Sequence, residues 1–119
     1  MRIDPQVVQT LVDAIGIDAA REIAKTLQVS LESFCQELPT MDAKTMAMRS
    51  HSLKGSLGYL GATELQALAS KANTLAREEK DPRHILESIC TLVPQTLTEL
   101  EQVLAAYETN EQEIPTKSG

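Results

Sequence analysis

Aromatic side chains are nearly missing from this chain: there is no tryptophan, and only Phe34, Tyr59 and Tyr107 among 119 residues. Its core must therefore be aliphatic, and Leu, Met and Ala are also good helix formers. No segment alternates apolar and polar residues as a half-buried strand does. No apolar run approaches the ~18 residues of a membrane span, and the N-terminus lacks the charged-then-apolar pattern of a secretory signal. There is no CxxC and no Cys/His cluster, which argues against a zinc site. Cys35 and Cys90 are the only cysteines and read as two separate buried thiols in a reducing compartment, so a cytoplasmic location is expected. A net charge of −6 and a pI near 4.9 argue against nucleic acid or an anionic membrane as partner.

What is present is helical periodicity. Asp4-Pro5 reads as an N-cap followed by proline at the first helical position, with Gly16 closing a short helix. A second helix is expected from a cap at Asp18. Its apolar stripe is Ile17, Ala20, Ala24, Leu27, Leu31, Phe34 and Leu38, and Pro39 stops it. Asp42 caps a third, which carries Met46, Ser50, Leu53, Leu57 and Leu60 and ends at Gly61. Thr63 with Gln66 has the form of a capping box opening a fourth, with Leu65, Leu68, Ala72 and Leu75 as its stripe. Asp81-Pro82 opens a fifth that runs to about Tyr107. Pro94 lies inside the fifth and is expected to kink or split it. The fold class implied is all-α: an antiparallel four-helix bundle with a short extra N-terminal helix. Residues 1–108 form a single domain and 109–119 a flexible polar tail. The initial methionine and self-contained bundle favour a free-standing, monomeric protein.

The third helix holds the chemistry. At about 100° per residue, Met46, Leu53, Leu57 and Leu60 fall roughly 180–240° from His51, so the histidine points away from the core. Lys44, Ala47, Lys54, Gly55 and Gly58 fall within about 60° of it. A glycine inside a helix costs about 1 kcal/mol against alanine. Packing glycines belong on the core stripe, and these lie opposite it, so they are expected to clear an approach to the imidazole. The window Ala43–Thr63 contains no acidic residue, where the average for this chain is about three, and it holds Lys44, Arg49 and Lys54. Such a face suits an anion and not a metal. His84, the other histidine, sits in a charged first turn beside Pro82 and reads as merely solvated.

An imidazole is largely neutral near pH 7, and its free nitrogen is a nucleophile. A lysine three residues on can attract a phosphoryl group and stabilise its oxygens. The sequence has no GxxxxGK[ST], no Gly-rich nucleotide loop and no carboxylate cluster for magnesium. It can therefore hold a phosphoryl group but not run ATP chemistry, and no enzymatic activity beyond carriage is expected.

His51-Ser52-Leu53-Lys54-Gly55, then Gly61-Ala62 and Leu65, resembles the HxLKG…GAxxL signature of histidine-containing phosphotransfer (HPt) domains. The likeness extends over most of the chain. It implies that His51 is the phospho-accepting residue, that Lys54 gives electrostatic support and that Gly55 gives clearance. It implies a receiver domain of a response regulator or hybrid histidine kinase as partner, in a multistep His–Asp phosphorelay. No cofactor is expected on this chain, and magnesium is expected on the receiver. Family members present a polar side chain from the following helix to the imidazole, which by position is Asn73 here. The partner-binding face is then Lys44, Ala47, Met48, Gly55, Gly58, Tyr59 and Asn73. Met48 and Arg49 are bulkier than the residues often found there. The alternative is a helical interaction module that binds its partner without being phosphorylated.

Overall fold

The computed structural model describes residues 2–118, with side chains described for residues 2–107. The expectation of a flexible tail over 109–119 falls on residues whose side chains lie outside that description. Five helices follow one another: α1 (Pro5–Ile15), α2 (Ile17–Glu37), α3 (Ala43–Tyr59), α4 (Thr63–Arg77) and α5 (Arg83–Ser118). Short connections make α2–α5 an antiparallel four-helix bundle, and no described residue is in a strand.

The caps show why the chain divides there. Asp4 accepts a hydrogen bond from the Gln6 amide at 2.9 Å, and Pro5 follows at the first helical position. Asp42 does the same for the Thr45 amide at 2.8 Å, which satisfies one donor that the start of α3 otherwise leaves unpaired. The Thr45 hydroxyl, and after it the Thr45 amide, hold the Asp42 pKa below its ordinary value. The contribution of this cap to stability is thus present above the ordinary carboxylate pKa and is lost as the pH falls through the lowered value. Asp18 is not the cap of α2. Gly16 occupies that position, and Asp18 lies in the first turn, where a carboxylate still favours the helix dipole.

The core is aliphatic apart from Phe34. Leu31, Phe34, Leu57, Leu60, Leu65, Leu86 and Ile89 are fully buried, and truncating one such leucine to alanine costs about 2–5 kcal/mol. α1 lies across one end of the bundle. The Asp4 amide donates to the Gly61 carbonyl at 2.7 Å, and the Tyr107 hydroxyl donates to Gln9 Oε1 at 2.9 Å. Gly61 has φ +67°, and a Cβ there would stand 2.8 Å from the Asp4 carbonyl oxygen and 3.0 Å from Val7 Cβ. No other residue fits both the backbone conformation and the space. At the other end the Arg83 guanidinium donates to the Leu38 carbonyl and to the Met41 carbonyl at 2.6 Å. It ties the start of α5 to the 3₁₀ turn Leu38–Thr40 that links α2 to α3.

Two features of α5 revise the sequence expectations: it is not split at Pro94, and it carries one half of a disulfide. Pro94 lies inside one uninterrupted helix. It is exposed, so water can take the carbonyl hydrogen bond that the proline nitrogen cannot supply. The two cysteines are not separate thiols: Cys35 of α2 and Cys90 of α5 form a disulfide, with Cα atoms 5.7 Å apart. Adjacent helices bring two residues 55 positions apart onto facing edges, which spacing in the sequence could not reveal. The argument for a reducing compartment from free thiols therefore loses its basis. A cross-link over that span should stabilise the fold by roughly 2–4 kcal/mol through the unfolded chain. Denaturant unfolding of the native protein against a Cys35→Ala/Cys90→Ala variant should show that loss, and thiol titration of the native protein should find no free thiol.

Candidate functional site

α3 places its polar and apolar residues as its burial demands. Met46, Ser50, Leu53 and Leu57 are buried, and the Ser50 hydroxyl satisfies itself on the Met46 carbonyl at 2.7 Å. His51, one position further on, is exposed. Lys44 is exposed and Ala47 and Lys54 are half-buried, while Met48 and Tyr59 stand 63% and 68% exposed. His51, Lys54, Lys44, Ala47, Met48 and Gly55 thus share one accessible face, with Tyr59 on its edge. Arg49 does not join them. It donates to Glu37 of α2 at 3.0 Å and lies over the Phe34 ring, 5.2 Å from its centroid. Its bulk is therefore turned away from the histidine.

The two glycines beside His51 have different roles. Nothing lies within 4 Å of where a Cβ on Gly55 would stand. Gly58 is half-buried, and a Cβ there would stand 2.6 Å from Gln66 Nε2. That amide donates to the Lys54 carbonyl at 3.2 Å. Gly58 therefore does not clear an approach to the site. It admits a side chain of α4. The expected capping box is absent because the helix starts one residue early: Ala62 is the N-cap of α4, which leaves Thr63 and Gln66 one position out of register and α4 without a side-chain cap.

α3 and α4 run antiparallel, and two contacts fix their register. Gln66 meets Gly58, and Ala47 and Ala76 line one cavity. Between those points Asn73 stands near the level of Ser50 and His51. It is 7% exposed, on the same edge of α4 as Gln66, so it belongs to the helix interface and not to an open docking face. At about 100° per residue that edge reads Gln66, Ser70, Asn73 and Arg77, without an acid. Arg77 adds a cation that the sequence reading passed over because it looked only along the histidine helix. The other histidine, His84, is exposed in the first turn of α5, with no comparable clearing around it. Among the described residues no group of three His, Cys, Asp or Glu side chains could hold a metal ion.

An exposed imidazole nitrogen, an adjacent ammonium and an open approach can accept and release a small anionic group. They cannot activate a nucleotide. The family model of the Hpt domain matches residues 17–110. No curated protein and no solved structure matches the chain.

The different surroundings of the glycines give different expectations for stability. Gly55→Ala should raise the free energy of unfolding by up to about 1 kcal/mol, from helix propensity alone. In Gly58→Ala the same gain is offset by displacement of the Gln66 amide and loss of a hydrogen bond of about 1 kcal/mol, leaving little net change. Urea denaturation of both variants checks this.

Proposed function

Because the chain belongs to the Hpt domain family, whose members carry phosphoryl groups on histidine in His–Asp phosphorelays, we propose that His51 is the residue that takes the phosphoryl group. The observation that carries this reading is an exposed histidine beside a glycine with open space around it, on a helix whose residues 43–59 include no carboxylate.

The donor is the aspartyl phosphate of a receiver domain. A free imidazole nitrogen of His51 attacks phosphorus, and the bond between phosphorus and the aspartate oxygen breaks. The electron pair returns to the carboxylate. Transfer onward to a second receiver is the reverse of the same step. Magnesium sits on the receiver. Lys54, one turn from His51, meets the incoming oxygens and stabilises them once they are bound to nitrogen. The receiver settles on Lys44, Ala47, Met48, Gly55 and Tyr59, with Gly55 leaving room for its active-site loops. Gly58 and Asn73 support this face from the α3–α4 interface. The protein acts as a monomeric carrier, not a kinase, and meets its receivers in the cytoplasm. No helix among the described residues is long and apolar enough to cross a membrane.

Incubation with a phosphorylated receiver should give an acid-labile label on the wild type and on His84→Gln, and none on a folded His51→Gln. Label persisting in the His51 variant removes His51 from the role. Binding of the receiver without any label supports the interaction module instead. Lys54→Ala should slow transfer with little effect on melting, because an exposed lysine contributes little to stability.

A further inference from the structure

We propose that Gln66 is a positioning residue for Lys54, a role that rests on the phosphotransfer reading of His51. The last turns of α3 are its weakest part. They contain Gly55 and Gly58, which favour the unfolded backbone, and the helix ends at Tyr59. Lys54 stands at the start of this weak segment. Its carbonyl oxygen accepts a hydrogen bond from Gln66 Nε2 at 3.2 Å, which joins the segment to the middle of the first two turns of α4. The amide reaches the carbonyl only because Gly58 has no Cβ: an added carbon would stand 2.6 Å from Nε2 and 3.3 Å from Cδ.

Gly58 and Gln66 thus work as a pair. One supplies the gap, and the other fills it with a donor aimed at the Lys54 backbone. Leu57 and Leu60 stay buried, but without the amide the Lys54 carbonyl loses its tie to α4, and the base of the Lys54 side chain gains freedom. The ammonium group then spends less time beside the phosphoryl group on His51. Gln66 itself lies two turns along α4 from Asn73, the residue level with the histidine, so its effect passes through Lys54 and not through contact with the reacting atoms. Two features of the chain find their explanation here: a glycine that is not open, and a glutamine whose side chain crosses from α4 to the backbone of α3.

The test is a double-mutant cycle on single-turnover transfer from a phosphorylated receiver to the full chain. Lys54→Ala should reduce the maximal rate on the order of tenfold, less than the loss of a donor in a desolvated site. Gln66→Ala should reduce it by up to about fivefold, the ratio that one neutral hydrogen bond supports, with the receiver concentration at half-maximal rate unchanged. In the Lys54→Ala background, Gln66→Ala should cause no further loss, because a residue acting through Lys54 has nothing left to position. Gly58→Ala, which expels the amide from the other side, should reproduce the Gln66→Ala rate and serves as the second route should Gln66→Ala melt early. Additive losses in the double variant, or an undiminished rate in both Gln66→Ala and Gly58→Ala, overturn the proposal. Failure of the phosphotransfer reading looks different: the wild type then takes no label at all.

Discussion

Burial of Met46, Ser50, Leu53 and Leu57 along one side of α3 governs the direction of every other side chain on that helix. A helix that turns 100° per residue cannot bury those four and His51 together. The imidazole is driven outward by the same packing that holds the bundle closed. Because α4 and α5 fill the far side with Leu65, Ala69, Ala72, Leu86 and Ile89, α3 cannot roll to hide it. The exposed histidine is a consequence of the core, so its presentation does not depend on a mobile loop.

Around that fixed point the remaining choices concern space and charge. Gly55 leaves the surface beside the imidazole empty. Arg49 is paired with Glu37 on the side of α3 away from the site. Lys54 stands one turn from His51 on a stretch of α3 without carboxylates, while Lys44, further away, shares a cavity with Asp42, Glu79 and Asp81. A lysine beside the imidazole favours an anionic group at close range, while the acidic remainder of the chain disfavours nucleic acid. On the proposed reading, phosphoryl carriage needs little more from the protein, since an aspartyl phosphate donor is already activated.

Much of this was legible in the sequence because local signals and packing agree. Asp4, Asp42 and Gly61 act where their chemistry suggests, and the stripes of α2, α3 and α4 face the core, with Ala24, Leu68 and Leu75 half-buried at its edge and Ala69 and Asn73 buried beside the α4 stripe. The direction of His51 followed from periodicity alone. The failures are tertiary. Thr63 and Gln66 have the spacing of a capping box, but α4 begins from Ala62, and Gln66 donates to α3 through the gap at Gly58. Gly58 lies near His51 by angle, yet α4 covers that edge, and angle around one helix cannot show what its neighbour covers. Cys35 and Cys90 meet only because α2 and α5 are adjacent. Arg77 belongs to the site's surroundings through the α3–α4 register, which no single helix displays.

The central claim is that α3 keeps the approach to His51 open through Gly55 without needing that glycine for packing. Gly55→Gln tests it most directly, by thermal melting and by the rate of phosphoryl transfer from a phosphorylated receiver measured on the same sample. With nothing within 4 Å of the Cβ position, the fold should accept the side chain and melt at or above the wild-type temperature, while transfer slows because the new chain stands in the path to the imidazole. Transfer at the wild-type rate in the folded variant, or a large drop in melting temperature, contradicts the account.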